Sequence, residues 1–148
     1  MTATMPDATV AAAIERVTVA PADTEVRITR RIEIGHCVMQ GDIYIHRVEE
    51  SHPTGELIGK GMVQIALGTG NGARHVAEGQ VEVYKGEQLP EWVKPLAMVE
   101  AKEITGPVIL AHDTFAITHP EHPHHQLPAG KYQVTYQFNP KTMKRVVD

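Results

Sequence analysis

Nine histidines are spread over the 148 residues, and four of them, His119, His122, His124 and His125, fall within the seven-residue stretch HPEHPHH. Imidazole is the commonest protein ligand for zinc, nickel, copper and iron, and its charge changes near neutral pH. A catalytic zinc site takes three protein ligands and an open position. His119 and His122, spaced H-x-x-H, together with His75 form the candidate metal set. His112, Glu121 or Asp113 would complete it if the fold brings them near. The cofactor implied is a divalent transition metal. The competing interpretation is a polar turn without cofactor. Pro120 and Pro123 oppose a regular helix, so the spacing does not place the two rings on one face. A histidine-rich tract is a compositional signal of low specificity, and the turn is the preferred interpretation.

Other chemistry is sparsely provided. GTGNGARH, from Gly68 to His75, has Ala73 where a dinucleotide fingerprint needs its third glycine, and strand character follows it; a mobile turn is expected. Ser51 is the single serine and lacks a G-x-S-x-G context, so a serine hydrolase is disfavoured. No catalytic residue is assigned, and the inventory leans against an enzyme without deciding the question. Asp42, in Gln40-Gly41-Asp42, is placed either to orient a histidine or to make a turn. Cys37 is the single cysteine, which excludes an intramolecular disulfide and a multi-thiolate zinc site; its apolar neighbours from Ile34 to Met39 predict a buried, inert thiol. Arg27, Arg30 and Arg31, with Lys141, Lys144 and Arg145, would suit an acidic partner or a phosphate backbone, or simply a solvated surface.

The elements that must position these residues are mostly strands. Val26, Ile28, Ile32 and Ile34 alternate with charged residues, which predicts a half-buried strand over 24–34. Ile43, Ile45 and Val48 follow a turn at Gln40-Gly41-Asp42. Further strands are expected over 57–67, 80–84 and 107–118. Tyr132, Val134, Tyr136 and Phe138 against Lys131, Gln133, Thr135 and Gln137 make the clearest alternation in the chain, entered through a turn at Pro128 and Gly130. Over 88–103, Trp92, Val93, Leu96 and Val99 suit one helix face, with Pro95 limiting its length. The fold class is therefore all-β, a barrel or sandwich of short antiparallel strands with one short helix and an extended N-terminal arm. The divisions are an arm at 1–22, a β-domain at 23–140 and a tail at 141–148. Within the arm, Asp7 could cap a short helix over 11–15.

The net charge of −4 gives no basic footprint, so sequence-specific nucleic-acid binding is not expected. No apolar run reaches the ~18 residues of a membrane helix, and the N-terminus lacks the basic start and apolar core of a signal peptide. Synthesis in a cytoplasm is expected.

CVMQGDIYIHRV, GNGARHVAEG, THPEH and LPAGKYQVTYQFNPKTMKRVVD occur in that order. Over about residues 37–148 this pattern resembles a group of small, largely uncharacterised β-domain proteins of bacteria and phages. That group has a Gln-Gly-Asp strand, a Gly-His-x-His segment, a Thr-His-x-x-His turn and a Leu-Pro-x-Gly-x-Tyr-x-Val strand followed by Gln. Gln40, Gly41, Asp42, His75, His119, His122, Leu127, Pro128, Gly130, Tyr132, Val134 and Gln137 match it, whereas Ala73 stands where the group tends to show a second histidine. The resemblance supplies no activity; together with the β-rich body and the sparse catalytic inventory it favours a structural or assembly protein, a subunit of a homo- or hetero-oligomeric particle such as a virion. The N-terminal arm would clasp neighbouring subunits. The alternative is a histidine-ligated metal-binding β-barrel, cupin-like in style.

Overall fold

A computed structural model describes residues 25–66, 74–95, 99–139 and 144–145. Among these residues eleven strands and one helical turn follow in chain order: β1 (Val26–Ile28), β2 (Cys37–Gln40), β3 (Ile43–Val48), β4 (Thr54–Ala66), β5 (His75–Gly86), α1 (Ala101–Ile104), β6 (Thr105–Ala111), β7 (Phe115–Thr118), β8 (His124–Leu127), β9 (Gly130–Tyr136), β10 (Phe138–Asn139) and β11 (Lys144–Arg145). Nine of the strands form one sheet in the order β1-β8-β7-β5-β6-β9-β3-β2, with β4 added along β5, and the sheet curls into a half-barrel. The all-β class with one short helix is thus the observed architecture. The proposed arm and the Gly68–Gly72 turn lie outside the described residues.

The curl follows from β5. Its first half pairs with β7, from Val76 opposite Thr118 to Glu78 opposite Ala116. Its second half pairs with β6, from Val81 opposite Ala111 to Tyr84 opposite Val108. The strand changes partner at Gly79, which has φ 140° and whose missing Cβ would sit 3.1 Å from Phe115 Cβ. A glycine there lets β5 pass close against the Cβ and backbone of Phe115. The concave face holds the apolar core, including Ile43 and Ile45 of β3, Val81 and Val83 of β5, Ile109 of β6, Phe115 and Ile117 of β7, and Tyr132 and Val134 of β9. Tyr132 is fully buried, donates its hydroxyl proton to Pro128 O at 2.7 Å and packs on Phe115 at 5.4 Å. Burial pushes its phenol pKa up to about 12, against the opposing effect of the Arg47 guanidinium.

Three expectations are corrected here. The alternation over 24–34 yields only the three-residue β1, with Ile28 and Ile34 about half exposed and Ile32 buried. A strand needs a ladder partner: β1 runs parallel to β8, and that pairing spans only Val26–His124 to Ile28–Gln126. Of the helix expected over 88–103, the described residues show one turn at Ala101–Ile104; 88–95 hold a turn and no helix, as Pro90 and Pro95 oppose one, and 96–98 lie outside the described residues. Cys37 is exposed rather than buried, since β2 forms an end of the sheet. Its thiol is nevertheless desolvated enough that its pKa is raised, which keeps it predominantly protonated at neutral pH.

The outer face of β9 differs from a solvated one. Gln133 and Thr135 are buried, and Lys131 nearly so, beneath the β3–β4 turn and the segment 87–95. Gln133 donates to the carbonyl oxygens of Gly106 and Val134 and accepts from His52 Nε2 at 2.8 Å, while Lys131 Nζ donates to Glu50 O and His52 O.

Candidate functional site

The Gln40-Gly41-Asp42 turn is tight because Gly41 takes φ 57°, a left-handed conformation that costs a glycine little. It projects the flanking Gln40 and Asp42 side chains toward the opposite end of the curl. There they meet His75, the first residue of β5. Gln40 Nε2 donates to Pro123 O at 2.8 Å and to Ile117 O at 3.1 Å. Those two carbonyls fix the amide orientation, so Gln40 Oε1 faces His75 Nδ1 at 2.8 Å and accepts its proton. His75 Nε2 lies 2.8 Å from Asp42 Oδ1. Asp42, expected either to make a turn or to orient a histidine, does both. Both nitrogens of His75 are engaged within the protein.

His119 packs against His75 with ring centroids 4.4 Å apart, and His122 against His119 at 4.3 Å. His75 and His122 are stacked at 6.3 Å. The three predicted residues therefore converge, although they do so ring against ring. The Glu121 N–H donates to His119 Nδ1 at 2.9 Å, which assigns that nitrogen the acceptor role. Ligation of an ion by His75 would require one of its bonds, to Gln40 or to Asp42, to be given up. Among the described residues no group of three or more His, Cys, Asp or Glu is arranged to hold a metal ion. The three further residues considered as ligands have other engagements. His112 Nε2 reaches Glu82 at 3.3 Å, Asp113 Oδ1 accepts from Thr114 N, and the Glu121 side chain is exposed.

Gln40, Asp42, His75 and His119 each retain 2% or less of their surface, while His122, at the outer end of the ring stack, is partly exposed. The cluster's bonds join strands from opposite ends of the sheet: β2 to β7 and to the entry of β8 through Gln40, and the β2–β3 turn to β5 through Asp42 and His75. Chemically the arrangement is a clasp that closes the half-barrel through side chains where no backbone ladder does.

His124 and His125 extend this seam along β8. His124 Nε2 donates to His119 O at 3.0 Å, and the Nδ1 atoms of His124 and His125 are buried with no hydrogen-bond partner. Burial lowers the pKa of His124 against the bond to the His119 carbonyl. Burial also lowers that of His125, helped by the positive charge of Arg27 and opposed by a bond to the Met39 backbone. His46 is lowered by burial as well. A histidine held below its unfolded value near 6.5 binds its proton first in the unfolded chain. Stability is therefore full above pH ~6.5 and falls as pH drops through the lowered folded values, by up to about 1.4 kcal/mol per pH unit for each such proton. Urea unfolding midpoints at successive pH values below 7 should decline in this sense; a midpoint that rises or stays level on acidification would contradict it.

Gln40 was not marked as a site residue by its type, although it makes more of the clasp's bonds than any histidine. Its signal was positional, a polar side chain directly before a Gly-Asp turn. The arginines considered for an acidic or phosphate partner pair locally, Arg27 with Glu25 at 2.9 Å and Arg31 with Glu33 at 3.8 Å. No family model, curated protein or solved structure matches this chain.

Proposed function

We propose that the chain is a structural subunit of an oligomeric assembly. The observation that carries this reading is where large apolar side chains are exposed. Ile28 on β1, Met39 on β2, and Leu57, Ile58 and Met62 on β4 each keep about half of their surface, and these strands bound the sheet. Ile34, beside β2, belongs to the same set. Apolar side chains concentrated on sheet margins favour cover by another chain, whereas a scattered set would need no explanation. The buried clasp of Gln40, Asp42 and His75 supports the same reading, because these side chains bond to one another and to Ile117 O and Pro123 O. The resemblance of residues 37–148 to β-domain proteins of bacteria and phages makes a virion one setting for such a subunit. In that setting the N-terminal segment 1–22 would contact neighbouring subunits.

Light scattering coupled to size exclusion tests this directly. The expected mass is a multiple of 16.3 kDa, reduced by the pair Leu57→Lys and Met62→Lys with unchanged far-UV circular dichroism. A single 16.3 kDa species at every concentration tried would remove the proposal. A metal-binding role for His75, His119 and His122 draws on the convergence of their rings. It is placed second because it demands that the His75 bonds be exchanged for an ion. Stoichiometric zinc or nickel in untagged protein, lost in the His119→Ala, His122→Ala double variant, would reverse that order.

A further inference from the structure

The segment 87–95 crosses the outer face of β3 and β9 without joining the sheet. Pro90 is buried, a turn closes through Val93 N to Pro90 O at 3.0 Å, and Trp92 remains 42% exposed. Between this segment and the β3–β4 turn lies a gap of about 150 Å³ lined by Val48, Glu49, His52, Leu89, Glu91 and Trp92, among others. Among the described residues the segment's side-chain hydrogen bond to the sheet is that from Trp92 Nε1–H to His46 Nδ1, 3.4 Å long. His46 Nε2 lies 2.9 Å from Thr135 Oγ1, and His46 is 7% exposed. Indole is a donor without acceptor capacity. The bond therefore exists only while Nδ1 carries a lone pair. A proton taken from solvent at Nδ1 places two N–H groups face to face and leaves an imidazolium in a desolvated site.

We propose that 87–95 is a proton-released strap, held against the sheet by Trp92 while His46 Nδ1 is unprotonated and freed when that nitrogen takes a proton. The groups around His46 do not compensate the charge. Tyr44 lies beside it on β3 at 6.3 Å between ring centroids, and Cys37 is its register partner on β2. On β9 it faces Gln133 and Thr135, with Lys131 further along bound to two carbonyl oxygens. Glu49 and His52 in the β3–β4 turn and Glu91 in the strap line the adjoining gap, and among the described residues no carboxylate bonds to His46. Release would expose the indole and uncover Thr135 and Gln133, giving the protein a second surface in acid. This inference is independent of the assembly reading.

Trp92 is the single tryptophan of the chain, so its fluorescence reports the strap alone. In the full-length protein, its emission should move to longer wavelength and its quenching by acrylamide should increase on acidification. The midpoint should lie below the ordinary histidine value of about 6.5, with far-UV circular dichroism still native. His46→Gln, which keeps an acceptor and cannot titrate, should abolish the transition, and His52→Gln should preserve it. A second measurement does not depend on the His46 variant folding. Trp92→Phe, which lacks the N–H, should be cut after Glu91 by a glutamate-specific protease at neutral pH about fivefold faster than wild type, the factor one hydrogen bond of ordinary net strength supplies. A transition that persists in His46→Gln, a native wild type whose Trp92 signal is flat across that range, or equal cleavage rates would each overturn the proposal.

Discussion

His75→Ala is expected to lower unfolding free energy by about 3–5 kcal/mol, the range for leaving a buried charge without its partner. The size follows from what is left behind. The Asp42 and His75 side chains are each about 1% exposed, so the carboxylate would remain buried without the imidazole it faces at 2.8 Å. Gln40 would lose the ring at Oε1, while its amide stays tied to Pro123 O and Ile117 O and cannot turn away to water. Urea denaturation of His75→Ala, Asp42→Ala and the double variant would close a cycle. The double variant should cost less than the two single changes summed. A loss for His75→Ala below about 1 kcal/mol, as for an exposed ion pair, would show that the clasp does not hold the curl.

Phe115→Ala should be of similar size, about 3–5 kcal/mol, by a different mechanism. Phe115 is fully buried where β5 exchanges β7 for β6, with Gly79 against its Cβ and the Tyr132 ring at 5.4 Å. Gly79 has no side chain with which to fill the space, and the bend at this point leaves the strand little scope to collapse inward. Phe115→Leu should retain most of the stability, because much of the apolar volume remains. Thermal or urea unfolding distinguishes the two. Equal losses for Ala and Leu would mean that ring packing on Tyr132, rather than volume, supports the bend.

Local pattern identified the strands that carry this core. Tyr132, Val134 and Tyr136 alternate on the inner face of β9 as their spacing predicts, and Ile43, Ile45 and the Gln-Gly-Asp turn form the expected hairpin. The same alternation misjudged the other face of β9. Gln133 and Thr135 are polar by type yet buried, since their cover comes from the β3–β4 turn and the segment 87–95, both far away in sequence. The 24–34 alternation failed for a related reason, as β1 can be no longer than the pairing β8 offers. At the site, residue type singled out His75, His119 and His122, and the fold brings their rings together. Their spacing could not show that His75 spends both nitrogens on Gln40 and Asp42, because those partners lie 35 and 33 residues away.

The clasp also has a bearing on how the chain folds. Gln40 meets Ile117 and Pro123 across 77 and 83 residues, and it can do so only after β5 to β9 have formed the curved surface between them. Contacts of such separation require the loop entropy to be surrendered first and so form late. Interactions made after the transition state govern how fast the native chain comes apart, with little influence on how fast it assembles. Gln40, Asp42 and His75 are then expected to act as a kinetic lock, setting the lifetime of the folded chain.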